Sequence, residues 1–227
     1  MAKPPPPFRT IALIVGAAMF MDQLDATVLA TALPAMARDF AVSAPAMSIA
    51  LTSYLISLAI FIPVSGRIAD RFGARSVFRI AIGVFTVGSV ACALSTGLGV
   101  LVTARFVQGI GGAMMMPVGR LVLLRSVERR HLIQAMSWVL IPAVLAPILG
   151  PPLGGFIVTY FHWRWIFYIN LPIGILGMGL VTLYIPQVHG EALKPADPAG
   201  TVLAALSLAS LLFGCELLSH PGQTRRS

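Results

Sequence analysis

Two aspartates and one arginine stand inside apolar runs that should exclude them. Asp22 and Asp25 interrupt the first long hydrophobic stretch, and Arg105 interrupts the fourth. An ionisable side chain at mid-membrane costs at least about 2.5–3.5 kcal/mol on insertion scales, so such residues usually carry a function. Asp22 and Asp25 are three positions apart and point to similar faces of one helix. Asp25 lies 14 residues past Ile11, or about 21 Å of helical rise. Arg105 lies 7 residues past Leu98, about 10 Å from the opposite boundary. In a hydrocarbon core about 30 Å thick, the two depths coincide to within a turn. Burial favours the neutral carboxyl, whereas a neighbouring guanidinium favours the carboxylate. A pair under such opposed influences can hold a proton whose release depends on shape. The structural alternative is a permanent Asp25–Arg105 ion pair that only offsets burial. Asp22 reads either as a second proton carrier or as a site for a cationic molecule.

Long apolar helices must position these groups. Hydrophobic residues make up 57% of the 227 and charged residues 11%, with mean hydropathy +0.88. A water-soluble domain carries about 25% charged residues. A span needs about 20 mostly apolar residues, and seven runs qualify or nearly so: 11–36, 45–65, 77–96, 98–119, 135–160, 166–186 and 199–218. The first is not a cleavable signal peptide. It lacks a small-residue cleavage site and continues through Asp22 and Asp25 to Pro34. The expected organisation is a cytoplasmic tail over 1–10, a six-helix bundle over 11–187, and a short linker, seventh helix and tail over 188–227.

Charge sets the orientation. Gly66–Arg79 packs four arginines and Asp70 between two apolar runs. The reading is a short loop outside the lipid, turned tightly by its glycines. Lys3, Arg9, Arg67, Arg71, Arg75, Arg79, Arg120, Arg125, Arg129, Arg130 and Lys194 fall on one side, and Arg38, Arg164, Arg225 and Arg226 on the other. That excess places the N-terminus in the cytoplasm. The net charge of +8 is thus a matter of topology. No basic helix or aromatic platform accompanies it, which argues against nucleic acid.

The chain also repeats itself. A shift of 89 residues aligns Pro63 with Pro152, Gly66 with Gly155, Ile68 with Ile157, Phe72 with Phe161, Arg75 with Arg164 and Phe78 with Phe167. An odd number of spans separates the copies, so their topologies are opposite. Inverted three-helix repeats are a recurrent way to build transporters.

Five segments, in order, resemble a known family. Gly66-Arg67-Ile68-Ala69-Asp70-Arg71-Phe72-Gly73-Ala74-Arg75 is similar to the signature between spans two and three of the major facilitator superfamily. Gly66, Asp70, Arg71, Gly73 and Arg75 match, and Ala74 replaces a usual basic residue. Leu24-Asp25-Ala26-Thr27-Val28 through Pro34 resembles the first-span motif of its fourteen-span drug:proton antiporters, with Ala30 in place of asparagine. Arg105-Phe106-Val107-Gln108-Gly109 looks like the fourth-span motif of the superfamily. Gly150-Pro151-Pro152-Leu153-Gly154-Gly155 looks like the core of the fifth-span antiporter motif, with Ala146 in place of its leading glycine. Trp163–Gly174 is similar to the stretch that opens the sixth span in the same antiporters.

The resemblance implies an all-α integral membrane fold: the six-helix N-terminal bundle of the superfamily, with a seventh helix. It implies proton-coupled export of hydrophobic or cationic drug-like compounds from the bacterial inner membrane. The energy source is the proton gradient, with no cofactor or metal. Asp25 is favoured over Asp22 as carrier because it matches the motif, and Gly66–Arg75 becomes a latch between two halves. The chain looks like the first half of such a protein, so it is expected not to transport without a second half. A periplasmic adaptor is used by some relatives. The alternatives are a metabolite symporter or uniporter of the same superfamily, or a non-transporting membrane fragment that pairs with another half.

The remaining features fit membrane packing. Gly109, Gly111 and Gly112 lack the strand that a dinucleotide fingerprint requires, and suit close helix approach. Pro142, Pro147, Pro151 and Pro152 remove backbone donors from the fifth span and should bend it, although membrane helices also tolerate proline without such a role. Met19, Phe20, Met21 and Met114–Met116 fit packing or lipid contact singly, and together an adaptable apolar pocket. Tyr160, Trp163, Trp165 and Tyr168 read as an interfacial belt. Cys92 and Cys215 lie in apolar runs as small buried residues. His131, His162, His189 and His220 lack metal-ligand spacing, and no enzyme motif is present.

Overall fold

The computed structural model describes residues 7–187 and the positions 200, 203, 207 and 210. The expected seventh span at 199–218 and most of the two tails lie outside the described residues. Between them run α1 (Phe8–Asp39), α2 (Ala44–Phe72), α3 (Ala74–Ala93), α4 (Leu98–Ser126), α5 (Leu132–Tyr160), α6 (Trp165–Tyr168) and α7 (Asn170–Tyr184). Helices α6 and α7 are separated only by Ile169, whose backbone is itself helical, and together form the sixth span. Six helices are therefore long and apolar enough to cross a membrane. No strand occurs among the described residues. In lipid this is the expected outcome, because a helix satisfies its backbone groups within one segment.

Packing follows the inverted repeat. Helix α1 packs along α5 and α4 along α2, while α3 lies against both α4 and α7. The equivalent partners are thus exchanged between the two halves of the bundle. Two apolar cores result. One gathers Ile11, Val15, Phe78, Phe85, Met115 and Val122. The other gathers Leu24, Leu29, Met36, Met47, Leu101 and Phe167. On α1, α3 and α4 the two cores are separated by a polar stretch that contains Asp22 and Asp25, Ser89, and Arg105 and Gln108.

The charged segment Gly66–Arg79 is not a loop. Gly66 to Phe72 are the last turns of α2, and Ala74 onwards begin α3. Gly73 makes the whole turn, with φ 86° and ψ 131°, a conformation that a side chain at Cβ opposes. Gly66 is helical, with open space where its Cβ would lie, so only one glycine of the pair turns the chain. Helices that extend past the hydrocarbon place these arginines outside it without any loop. The belt reading also changes at Trp163, which is buried at 3% exposure. Its indole Nε1 donates to Asp39 Oδ2 at 2.9 Å. Tyr160 and Trp165 remain exposed.

A buried carboxylate–guanidinium centre

Asp25 and Arg105 meet. Arg105 Nη1 lies 2.5 Å from Asp25 Oδ2, with both side chains fully buried. The other carboxylate oxygen, Oδ1, accepts from Gln108 Nε2 at 3.0 Å and from Asn170 Nδ2 at 2.8 Å. Both amides also donate to Ser89 Oγ, at 2.7 Å and 3.0 Å. Arg105 Nη1 further donates to Gln108 Oε1 at 2.7 Å, which fits the three-residue spacing of these two along α4. Four helices, α1, α3, α4 and α7, thus close on one carboxylate. Every group on that carboxylate is a donor, the arrangement that an ionised acid requires.

A second carboxylate lies beside the first. Tyr54 Oη donates to Asp22 Oδ1, and the Arg105 guanidinium carbon lies 4.3 Å from the centroid of the Tyr54 ring. Among the described residues, Arg105 Nε and Nη2 are buried with no hydrogen-bond partner. The ring face of Tyr54 supplies a cation–π contact there. Asp22 is part-exposed where Asp25 is sealed. Tyr54 on α2 therefore connects the part-exposed carboxylate to the buried pair.

Small residues create the room. A Cβ on Gly111 would stand 2.5 Å from Phe85 N and 2.6 Å from Ala81 O, so α4 can approach the α3 backbone only with glycine there. Gly109 and Gly112 face Ser57, Tyr54 and Asp22 in the same way. On α5, Gly150 packs on Thr27 and Gly154 on Thr31 of α1. Both threonine hydroxyls donate within α1 itself, so the contact is one of shape. Pro151 and Gly155 are exposed and take no part in it. The four prolines of the fifth span lie in one helix that runs from Leu132 to Tyr160. Met19 and Met116 line a groove of about 610 Å³ between α1, α4 and α5, together with Met136, Leu140 and Arg120. Met21 and Met115 are instead fully buried.

The matched residues of the α2–α3 junction make separate contacts. Asp70 Oδ1 takes Arg125 Nη2 of α4 at 2.5 Å and does not cap a helix N-terminus. Arg75 Nη2 donates to the Thr182 carbonyl of α7 at 2.5 Å. Arg71 lies over Phe72 at the surface. Ser89 and Tyr54 belong to none of the segments singled out in the sequence, and Gln108 and Asn170 enter only as members of the Arg105–Gly109 and Trp163–Gly174 segments. A single amide inside the apolar run 166–186 was the available signal for Asn170. Among the described residues, no group of three His, Cys, Asp or Glu side chains is placed to hold a metal.

Comparisons agree with this architecture. The profile of the Major Facilitator Superfamily matches residues 15–219. The chain is 42% identical over 213 residues to a "Probable transport protein HsrA" of Haemophilus influenzae, covering 94% of this chain and 46% of that protein. It is 42% identical over 209 residues to a "Putative multidrug resistance protein MdtD" of Yersinia enterocolitica, covering 92% and 44%. The chain thus spans about half the length of the curated relatives it matches. A crystal structure of a D-xylose-proton symporter shares the fold at TM-score 0.68 and 17% identity, over 94% of this chain and 54% of that one. The POT family transporter PepTSo does so at TM-score 0.73 and 13% identity, over 93% and 53%. With a profile matched along nearly its whole length and relatives this similar, the chain is a multi-pass membrane protein that belongs to the Major Facilitator Superfamily.

Proposed function

We propose that the chain supplies the proton-handling N-terminal bundle of an exporter of hydrophobic or cationic drug-like compounds, driven by proton uptake across the bacterial inner membrane. The observation that carries this reading is the sealed Asp25–Arg105 pair, a carboxylate with no exposure in the middle of a membrane bundle. A charge held there at such cost has a role beyond packing. Asp25 holds the proton, and Arg105 stabilises the carboxylate once the proton leaves. Asp22, part-exposed on the same helix, is the group that a cationic substrate reaches, and Tyr54 passes its state to Arg105. The groove at Met19 and Met116 offers adaptable apolar surface for the rest of the molecule. The relatives named as multidrug resistance proteins support a substrate of this class.

Alternating access requires a second bundle facing this one. The basic ends of α2 and α3 then lie in the cytoplasm. Gly66, Asp70, Arg71, Gly73 and Arg75 act there as a latch: Asp70 and Arg75 brace the bundle through Arg125 and Thr182, and exposed Arg71 reaches the other half. The test is proton-driven efflux of a lipophilic cation from proteoliposomes that hold the whole transporter. Asp25→Asn should abolish accumulation driven by the gradient. If it drives efflux as the wild type does, the carrier assignment is wrong.

A further inference from the structure

The sixth span is not needed to hold the Asp25–Arg105 pair together, yet it places an amide on the carboxylate. We propose that Asn170 is a positioning residue for proton exchange, which holds Asp25 Oδ1 while the acid is ionised and turns to accept from it once it is protonated. This rests on the reading of Asp25 as the proton carrier.

The three donors on Asp25 are not equivalent. Arg105 and Gln108 share α4 and bond to each other. Gln108 is further fixed through Ser89 and accepts from Cys92 Sγ at 3.6 Å. Neither can leave Asp25 without breaking that set. Asn170 comes from a different helix and, among the described residues, its side chain is held besides Asp25 by one 3.0 Å bond to Ser89 Oγ. A proton that arrives on Asp25 Oδ1 displaces one of the two amides there, and Asn170 breaks the fewer contacts in going. An amide suits both states: its Nδ2 donates to a carboxylate, and its Oδ1 accepts from a carboxylic O–H.

Room for that rotation adjoins it. A void of about 10 Å³ lies between α1, α5 and the sixth span, where Leu24, Val28, Leu153 and Ile166 surround Asp25 and Asn170. That is about the volume of one water-sized probe. The other charged or titratable groups at the centre are Arg105 from α4, Cys92 from α3, Tyr54 from α2 and Asp22 from α1 itself. The void is lined from α1, α5 and the sixth span, and neither Tyr54 nor Asp22 is among its lining residues.

Infrared difference spectroscopy against pH tests this on the purified protein, with no substrate needed. The carboxylic-acid band that disappears in Asp25→Asn reports the proton on Asp25. Asn170→Leu keeps the shape but removes donor and acceptor. It should displace the midpoint of that band by about one pH unit. Asn170→Ser restores a donor and acceptor, and should return the midpoint towards the wild type even if Asn170→Leu proves unstable. Equal midpoints in wild type and Asn170→Leu would overturn the proposal. So would a serine variant that titrates like the leucine one, because a restored donor and acceptor would then have no effect on the proton at Asp25. If no Asp25-dependent band develops between about pH 4 and 9, the carrier reading fails first and this inference falls with it.

Discussion

Two ion pairs of the same length sit in this bundle under opposite conditions. Arg105–Asp25 and Arg125–Asp70 both measure 2.5 Å. The first has no exposed side-chain surface; in the second the arginine and aspartate keep 20% and 39% of theirs. The buried pair carries two amides and lies over a tyrosine ring. The outer one has no such shell among the described residues, and both arginines keep nitrogens without a hydrogen-bond partner there, Nη1 on Arg125 and Nε and Nη2 on Arg105. Distance therefore says little about what an ion pair does. The deep pair needs donors on both carboxylate oxygens, because its charges have no water to fall back on. The shallow pair lives in a screened, hydrated setting and acts as a brace between helix ends.

The largest expected effect breaks the deep pair. Arg105→Ala should cost about 3–5 kcal/mol by stranding a buried carboxylate, seen as a lower unfolding temperature in detergent. Arg125→Ala should cost no more than about 1 kcal/mol in the same assay. If the two variants lose equal stability, the contrast drawn here is mistaken. Each pair also has a constrained glycine on or at the end of one of its helices. Gly111→Ala would press a methyl against the α3 backbone and should destabilise by about 1–3 kcal/mol or more, together with loss of proton-driven efflux. Gly73→Ala forces a side chain into the positive-φ turn beside Asp70, for about 1–3 kcal/mol, and should leave the Asp25 infrared band in place. The smallest effect is the most discriminating. Raising salt from 0.05 to 1 M, over which the screening length falls to about 3 Å, should remove the remaining stability difference between wild type and Arg125→Ala. The deficit of Arg105→Ala should persist, since ions do not reach it.

The same rule appears where the inverted repeat can be followed. At the α2–α3 junction, Arg75 bonds to a carbonyl near the far end of α7. At the α5–α6 junction its counterpart Arg164 donates from Nη2 to the Ser95 carbonyl, just past α3, at 2.9 Å. The two contacts are reciprocal. The acid–base partners beside them are reversed in sign: Arg125 at the end of α4 meets Asp70, whereas Asp39 at the end of α1 meets Trp163 and lies 3.5 Å from Arg164. A shift of 89 residues pointed to Arg75 and Arg164 as equivalents. It could not show that each grips the other's helix.

What the chain settled by itself was everything that acts along its length. Runs of apolar residues fixed six of the spans. Counting rise per residue brought Asp25 and Arg105 to one depth. Hydropathy and rise need no knowledge of neighbours, so they are legible from order alone. Rotation about each helix axis is a different matter. These helices are apolar nearly all round, so no polar face announces which side turns inward. Only packing decided that Asn170 and Ser89 would converge on Asp25, that Arg125 would take Asp70, and that Trp163 would be buried against Asp39 instead of resting in the interface. The helix ends surprised for a related reason. Hydropathy marks where lipid stops, whereas backbone hydrogen bonds carry α2 on to Gly73.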